Sequence, residues 1–263
     1  MRYVLVTGAY GGMGRKFIDK LKSNGYGVIA LDLKVGDQEE NVYPIKVDVT
    51  DENSVISAFE KVKHITNSLY AIVHFAGIYM LDSLVEISNE KFEKIFKCNV
   101  NGVFIINKTF ISLLNKGSKI IITTSELAPL NPLPFTGIYA VTKCALDKYA
   151  YSLRMELQLL GVSVSVLRAG AVDTGMIDAS TTALENFCNN TKLYKCNAKR
   201  FKQIVDKVEA RRISTEKLAN KVMKIMNKKC AKFAYKINRN PLLLLLNIMP
   251  KRFQFWIIKK ILK

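Results

Sequence analysis

The chain has 263 residues, of which 49% are hydrophobic, so it can form one α/β domain with a sizeable core and is not a disordered chain. Its net charge of +18 lies in the last 78 residues: residues 1–185 carry 19 basic and 19 acidic side chains, and residues 186–263 carry 21 and 3. This asymmetry indicates either an anionic partner (a membrane surface, a nucleic acid or an acidic substrate) or a lysine-rich composition without one.

The cysteines and histidines argue against disulfide and metal sites. Five scattered cysteines include no CxxC pair, which predicts reduced thiols. The two histidines, His64 and His74, are too few for a histidine-based metal site, and no metal is predicted. The apolar run Tyr3–Val6 is too short for a signal peptide, so we expect a cytoplasmic protein.

Short β-branched runs alternate with amphipathic stretches along most of the chain. The predicted strands are Val4–Val6, Gly27–Leu31, Tyr43–Val47, Ala71–Phe75, Lys119–Thr124, Val162–Leu167 and Cys230–Ile237. The predicted helices are Met13–Asn24, Asp51–Val62 with Thr50 as its cap, Asn89–Leu114, Tyr139–Leu160, and one from an N-cap at Ser214 to Met226. The strands lack strict alternation, as expected when both faces are buried. The sequence therefore predicts an α/β, Rossmann-like, doubly wound parallel sheet in a single domain, residues 1–237.

Two segments depart from this pattern. Residues 173–200 are polar and weakly periodic, which indicates a mobile segment over the site, within a lid spanning about residues 173–213. Residues 238–263 form a basic amphipathic extension that is too short and too charged to span a bilayer. On a helical wheel its basic side chains lie opposite its apolar ones: Arg252, Lys259, Lys260 and Lys263 against Phe253, Ile257, Ile258, Ile261 and Leu262. This pattern favours either an interfacial helix on an anionic membrane or a tail packed on the domain or a second subunit.

A glycine-rich turn, Thr7-Gly8-Ala9-Tyr10-Gly11-Gly12-Met13-Gly14, follows the first predicted strand and opens the first helix. Glycines let the backbone turn tightly and approach a pyrophosphate, which then rests on the helix N-terminus. No Gly-Lys pair stands at the offset a P-loop needs. The turn therefore predicts a dinucleotide site.

Asp32 ends the second predicted strand, 18 residues after Gly14. A carboxylate there can bind both hydroxyls of the adenosine ribose and repel a 2′-phosphate. This favours NAD over NADP, although the nearby Lys34 leaves NADP open.

Three further positions carry chemistry. Tyr139 and Lys143 share one helix face at i and i+4, so the lysine ammonium and a positive nicotinamide ring can lower the phenol pKa from its usual value near 10. Tyr139 could then exchange a proton with a substrate oxygen. Ser125 ends the fifth strand, where its hydroxyl can bind a developing oxyanion. Asn99 lies mid-helix, which indicates a functional kink or water site, or an exposed asparagine.

Together these features resemble the single-domain short-chain dehydrogenases/reductases over about residues 3–237. The motifs stand in the family's order and spacing: Thr7-Gly8-x-x-x-Gly12-x-Gly14, Asp48-Val49, Ala76-Gly77, Asn99, Ser125 and Tyr139-x-x-x-Lys143. The resemblance implies that Tyr139 is the catalytic acid/base and that Ser125 orients the substrate. It also implies that Lys143 holds the nicotinamide ribose and tunes Tyr139, and that Asn99 maintains a water relay from Lys143 to solvent.

The resemblance also implies a cofactor site beyond the catalytic residues. Its expected members are Thr7, Gly8, Tyr10, Gly12, Met13, Gly14, Asp32, Asp48, Val49, Ala76, Gly77, Tyr139, Lys143, Val172 and Thr174. Asp48 and Val49 would contact adenine, Ala76-Gly77 the ribose, and Val172 and Thr174 the carboxamide. The chain departs from the family in two places. His74-Phe75 replaces the usual Asn-Asn, which braces the sheet, and Ala169-Gly170 replaces Pro-Gly.

The segment from Pro250 to Lys260 is similar to the C-terminal ends of family members that act on steroids, retinoids and other lipids. The sequence therefore predicts an oxidoreductase that moves a hydride between NAD(H) and a secondary alcohol or ketone of a small hydrophobic molecule. The family implies a homo-oligomer. An alternative is a cofactor-sensing or membrane-docking module with weak catalysis, against which the intact Ser125, Tyr139 and Lys143 argue. The basic region lacks a recognition motif, so no nucleic acid is predicted.

Overall fold

The protein is described by a computed structural model that covers residues 1–208 and 212–263. Its strands form one sheet: β1 Arg2–Thr7, β2 Tyr26–Asp32, β3 Val42–Lys46, β4 Leu69–His74, β5 Leu114–Ser125, β6 Ser163–Ala169 and β7 Ala234–Ile237. Its α-helices are α1 Gly12–Ser23, α2 Glu52–Lys63, α3 Asn89–Phe96, α4 Gly102–Phe110, α5 Gly137–Leu157, α6 Gly175–Asn190, α7 Lys195–Val208, α8 Thr215–Met226, α9 Pro241–Ile248 and α10 Lys251–Leu262.

The seven strands are parallel and lie in the order β3-β2-β1-β4-β5-β6-β7. In the central strand β1, Val4 pairs with Val28 on one side and with Ala71 on the other. The chain crosses from β3 to β4 over β1, so the strand order reverses between β1 and β4. Ligands of open α/β sheets bind at such a switch point, beyond the carboxyl ends of the strands. The predicted doubly wound fold is confirmed.

Two helical layers bury the two faces of the sheet. Helices α1 and α8 cover one face through fully buried side chains such as Phe17 and Val222. Helices α2, α4 and α5 cover the other, where Val55 and Phe110 are fully buried. Burial of a large apolar side chain contributes roughly 1.5–3 kcal/mol, so these layers hold the strand ends, and the site beyond them, in place.

The structure corrects three local predictions. Thr50 does not cap α2: the Asp51 carboxylate accepts the Asn53 N–H at 3.0 Å, while the Thr50 hydroxyl donates to Asp48 at 2.8 Å. The last strand is shorter than the predicted Cys230–Ile237, because it begins only at Ala234. The long helix predicted over Asn89–Leu114 is divided into α3 and α4 by one π-helical turn.

Residues 173–200 are mostly helical, where the sequence indicated a loose polar segment. Helices α6 and α7 pack through a small apolar cluster that includes Leu184, Phe187 and Phe201 and is separate from the main core. Polar residues cover the outer faces of both helices, and their number obscures the apolar periodicity in the sequence. Residues 209–211 of the predicted lid lie outside the described residues, and the lid role stays a prediction.

The C-terminal extension forms two helices that pack on the domain. Leu243 of α9 and Leu262 of α10 are buried, and Leu262 joins the cluster formed by α6 and α7. The Asn197 side chain donates to the Leu262 carbonyl at 2.7 Å. In the part of the chain that the structure covers, no helix combines the length and apolar character that crossing a membrane requires.

Candidate active site

The turn after β1 brings the backbone close to the end of β4. Gly8 has φ +65°, and a Cβ there would lie 2.6 Å from the Ala76 nitrogen and 2.8 Å from the Phe75 carbonyl carbon. The Phe75 N–H donates to the Thr7 carbonyl at 3.0 Å, and the Ala76 N–H donates to the Thr7 hydroxyl at 3.4 Å. Glycine is therefore required at position 8 for both conformation and space.

The same turn leaves an open cradle at the start of α1. A Cβ on Gly14 would lie 2.2 Å from the Gly8 carbonyl oxygen, and one on Gly12 would lie 2.9 Å from Thr174 Cγ2. Within the described residues, α1 has no side-chain cap and no acidic residue in its first turn. The backbone N–H groups and positive dipole end of the helix therefore fit a pyrophosphate, which Thr174 would border from the opposite side.

Asp32 stands at the end of β2, beside this cradle. Its carboxylate accepts the Tyr10 N–H at 2.8 Å and the Lys34 N–H at 3.4 Å. The ring of the same tyrosine lies 5.3 Å from the Arg15 guanidinium. Asp32 therefore lies beside the cradle at the start of α1, and its contact with an adenosine ribose stays a prediction.

Asp48 and Val49 follow β3 at the same edge of the sheet. The Asp48 carboxylate accepts the Thr50 N–H at 2.9 Å, which fixes the loop that leads into α2. Val49 is buried, and a Cβ on Gly102 of α4 would lie 2.9 Å from Val49 Cγ2. Both residues are near the edge at which ligands bind, and their adenine contacts stay a prediction.

Asn99 lies in the π-turn Lys97–Asn101 and is fully buried. Its side chain accepts the Ile78 N–H at 2.8 Å and donates to the Ile78 carbonyl at 3.0 Å and to the Thr142 hydroxyl at 3.2 Å. The π-turn interrupts the helix at this position, and the burial of Asn99 excludes the alternative of an exposed asparagine. Single π-turns are frequent at functional sites, and a functional role of this turn stays a prediction. Asn99 fastens the segment after β4 to helix α5, and its part in a water relay stays a prediction.

Ser125, Tyr139 and Lys143 come together beside the switch point. Ser125 ends β5, and its hydroxyl is a hydrogen-bond partner of the Tyr139 phenol. One helical turn further on, Lys143 Nζ donates to the Thr123 carbonyl at 3.4 Å and lies 5.6 Å from the centre of the Tyr139 ring. A Cβ on Gly77 would lie 3.5 Å from that Nζ. The geometry brings the predicted catalytic residues to one place.

Burial disfavours the charged forms of both Tyr139 and Lys143. Burial raises the pKa of Tyr139 to about 12, and the Ser125 hydrogen bond opposes part of that rise. Burial lowers the pKa of Lys143 to about 8. The sequence predicts a lowered phenol pKa, but in the protein alone desolvation is the dominant effect and the phenol pKa is raised. At neutral pH the phenol is therefore protonated and the lysine is cationic.

A cavity of about 830 Å³ lies over these residues. Met13, Gly77 and Thr174 line it on the side of the glycine-rich turn, and Ser125 and Tyr139 line it on the catalytic side. Most of its remaining wall is apolar: Leu81, Leu133, Leu184, Phe201, Ile204, Leu243, Leu246, Ile258 and Leu262. Helices α6, α7, α9 and α10 all contribute, so both segments that the sequence set apart form walls of the site.

His74 replaces an asparagine that would brace the sheet. Its Nε2 lies 3.0 Å from Asn107 Oδ1, and Asn107 Nδ2 donates to the Tyr149 hydroxyl at 3.2 Å. Because the amide oxygen is an acceptor, Nε2 carries the proton. Burial lowers the pKa of His74 to about 4. A neutral histidine therefore links β4 to α4 and α5.

Sequence reasoning missed two residues at the site. The Tyr79 ring lies 4.9 Å from the Tyr139 ring and lines the cavity. Glu126 follows Ser125, and its carboxylate accepts the Asn240 N–H at 2.7 Å at the start of α9. Neither belongs to a motif, and only the fold brings position 240 to position 126.

Among the side chains that the structure describes, which exclude those of residues 176–179 and 208–211, no three His, Cys, Asp or Glu gather as a potential metal site. That leaves the expectation of no metal as a prediction. Oligomeric state likewise stays a prediction.

Comparisons with known proteins agree with this geometry. The profile of the family described as short chain dehydrogenase matches residues 2–185. An NADPH-dependent 1-acyldihydroxyacetone phosphate reductase of Schizosaccharomyces pombe is 31% identical over 66% of this chain and 60% of its own length. Estradiol 17-beta-dehydrogenase 2 of Mus musculus is 31% identical over 66% of this chain and 49% of its own length. The chain thus spans about half to three-fifths of these relatives.

The fold is shared with solved structures. A short chain dehydrogenase family protein from Francisella tularensis superimposes with a TM-score of 0.76 at 22% identity, over 90% of this chain and 97% of that one. Residues beyond the family match at position 185 therefore also follow a known architecture.

Proposed function

This chain belongs to the short-chain dehydrogenase family of NAD(P)-dependent oxidoreductases that act on CH–OH groups, and we propose that it interconverts a secondary alcohol and a ketone on a hydrophobic molecule. The observation that supports this most directly is the position of Ser125, Tyr139 and Lys143 against a large, mostly apolar cavity. Pockets of this size and character bind small molecules, with a few polar groups fixing their orientation.

The residues account for the proton chemistry of the reaction. A bound nicotinamide cofactor supplies the hydride in reduction and accepts it in oxidation. The Ser125 hydroxyl donates a hydrogen bond to the substrate oxygen, which stabilises the charge that develops there. Tyr139 gives its phenolic proton to that oxygen, so that a ketone plus a hydride and a proton becomes an alcohol. The Lys143 cation stabilises the phenolate that remains.

The apolar wall supports a hydrophobic substrate. Each buried methylene that leaves water contributes about 0.8 kcal/mol, so a cavity walled by leucine, isoleucine and phenylalanine favours bulky apolar molecules. Two relatives carry names that point the same way, since one is named a 1-acyldihydroxyacetone phosphate reductase and the other an estradiol 17-beta-dehydrogenase. Lipid-like and steroid-like ketones are therefore the first substrates to test.

Asp32 supports a preference for NAD(H). Its carboxylate is held by two backbone N–H groups beside the α1 cradle, where it would meet the adenosine ribose and repel a 2′-phosphate. The positive charges of Arg15 and Lys34 would instead attract a 2′-phosphate, and the yeast relative is named as NADPH-dependent. We give the Asp32 carboxylate the greater weight in cofactor preference because it is held directly at the strand end, whereas the Lys34 side chain is exposed.

The test is NADH and NADPH oxidation with ketones that share a reactive group and differ in apolar bulk, from acetoin to long-chain and steroid ketones. We expect turnover with NADH and a specificity constant that rises with buried apolar surface. A preference for the smallest ketones would contradict the hydrophobic assignment. Cofactor binding without turnover of any ketone or alcohol would favour the alternative, a cofactor-sensing module.

A further inference from the structure

Helices α9 and α10 expose apolar side chains that packing on the domain does not explain. Leu243 and Leu262 face the domain, yet seven large apolar side chains of the same two helices are exposed: Leu242, Leu245, Ile248, Phe253, Phe255, Trp256 and Ile261. Leu242, Leu245 and Ile248 recur at intervals of three and so share one face of α9. Contiguous exposed apolar surface of this kind marks an interaction site.

Basic side chains surround this apolar surface. Five are exposed on and after α10: Lys251, Arg252, Lys259, Lys260 and Lys263. Residues 238–263 contain no acidic residue, so nothing within the tail neutralises these charges. We call the seven apolar and five basic residues together the docking surface. Its charge is complementary to an anionic partner that also accepts apolar groups, and an acidic lipid bilayer has both properties.

The aromatic residues of α10 are arranged as in an interfacial helix. The Phe253 and Trp256 rings stack with their centroids 5.6 Å apart and an interplanar angle of 10°. Lys260 Nζ lies 4.9 Å from the centre of the Trp256 ring. Tryptophan beside lysine suits the headgroup region, where the ring meets the acyl boundary and the cation meets the phosphates.

The cavity of the proposed active site reaches the same surface. Leu242, Leu245 and Ile261 line the cavity, and they are also 59%, 55% and 52% exposed. The cavity wall and the outer surface therefore meet where α9 and α10 lie side by side. From this geometry and charge we infer that the docking surface rests on an anionic lipid bilayer, with the cavity opening toward the lipid.

This arrangement would let a hydrophobic substrate pass from the bilayer into the cavity without crossing water. That consequence rests on the proposed function, whereas docking itself does not and is measured without turnover. The two can therefore fail separately.

Trp256 makes docking measurable, because it is the only tryptophan in the chain and is about half exposed. Tryptophan emission therefore reports on the docking surface alone. With phosphatidylcholine–phosphatidylserine vesicles we expect a blue shift, and quenching when the acyl chains carry bromine. With phosphatidylcholine vesicles we expect little change. Unchanged emission with both kinds of vesicle would overturn the inference.

Vesicle sedimentation with paired charge reversals tests the basic residues. Lys259→Glu/Lys260→Glu should weaken partitioning onto the acidic vesicles by about 30-fold or more. Lys61→Glu/Lys94→Glu makes the same change in net charge at two exposed lysines of α2 and α3 and should bind as the unchanged protein does. Equal loss in both variants would reduce the effect to net charge and overturn the docking surface.

Two other occupants give different results. If a second copy of the chain covers the surface, Trp256 emission will be blue-shifted without lipid and will move to the red on dilution. If the surface binds nucleic acid, an oligonucleotide will displace the protein from vesicles and bind more tightly than they do. Either result would overturn the lipid assignment. Activity toward a water-soluble ketone should be the same in both charge-reversal variants, which keeps the reaction and the docking separate.

Discussion

Lys143 Nζ lies 5.6 Å from the centre of the Tyr139 ring, with both side chains buried. Burial acts on the two groups in opposite senses: it raises the pKa of Tyr139 to about 12 and lowers that of Lys143 to about 8. Near neutral pH the pair is therefore a protonated phenol beside an ammonium group. This is the state from which Tyr139 can donate a proton, so the protein itself favours ketone reduction at neutral pH.

Oxidation of the alcohol needs the Tyr139 phenolate, so its rate should rise with pH. Replacing Lys143 with methionine removes the cation that stabilises the phenolate, so kcat/KM for alcohol oxidation should fall by about 10–100-fold near pH 7, where Lys143 is charged, and this loss should shrink above about pH 8. The matched control is Lys148→Met, an exposed lysine on the same helix. The measurement is kcat/KM for alcohol oxidation against pH. No loss in the Lys143 variant, or a loss that is the same at all pH values, would show that the lysine charge does not tune Tyr139.

Asp32→Asn keeps the shape and an acceptor for the Tyr10 N–H but removes the negative charge. We expect the ratio of kcat/KM with NADH to that with NADPH to fall about tenfold or more, because repulsion of the 2′-phosphate is lost. Asp37→Asn, at an exposed acid in the following loop, is the control. Steady-state kinetics with both cofactors checks this. A ratio that is the same in both variants would remove Asp32 from cofactor selection.

His74 should make stability depend on pH. Its pKa in the folded protein, about 4, lies below the ordinary value of 6.5, so between these values the unfolded chain binds a proton that the folded chain does not. The free energy of unfolding should therefore be unaffected above about pH 6.5 and should fall by up to about 3 kcal/mol as the pH drops to about 4.

His74→Asn tests this directly, because asparagine can keep a hydrogen bond to Asn107 and does not titrate. The variant should lose less stability between about pH 7 and about pH 4.5 in urea unfolding than the unchanged protein loses. His64→Asn, at an exposed histidine, should leave the slope unchanged. Parallel slopes for the His74 variant and the unchanged protein would contradict a buried neutral histidine.

The parts of the fold that the sequence predicted are those set by local pattern. Short β-branched strands alternating with amphipathic helices were enough for the doubly wound sheet, and fixed spacings identified Ser125, Tyr139 and Lys143. Asn99 was recognisable because asparagine is a poor residue for a helix interior, and it lies in the π-turn.

What the sequence could not predict depends on contacts between distant positions. The apolar faces of α6 and α7 become visible only when Phe187 and Phe201 meet the end of α10. His74 takes the place of the asparagine that usually braces the sheet, and it does so through a hydrogen bond with Asn107, which is 33 residues away in the chain. The Glu126–Asn240 contact joins residues 114 positions apart, and no motif marks either one.

Glu126 should control how well α9 closes the cavity. Its carboxylate accepts the Asn240 N–H at 2.7 Å, and Asn240 in turn caps α9 through the Leu242 N–H at 2.9 Å. Glu126→Ala should raise KM for a bulky ketone by about 10-fold or more, as expected for one hydrogen bond to a charged group. Glu126→Gln keeps the acceptor and should stay close to the unchanged protein. Equal KM values for all three proteins would show that the contact does not position the wall.

The central claim is that Tyr139 supplies the proton. The most direct measurement compares Tyr139→Phe with Tyr151→Phe, which removes the hydroxyl of an exposed tyrosine on the same helix, in ketone reduction and in NADH binding. We predict that kcat falls by about 10²–10⁴-fold in the Tyr139 variant alone, while the Kd for NADH changes little in either. Full turnover by the Tyr139 variant would contradict the account, because the proton would then come from elsewhere.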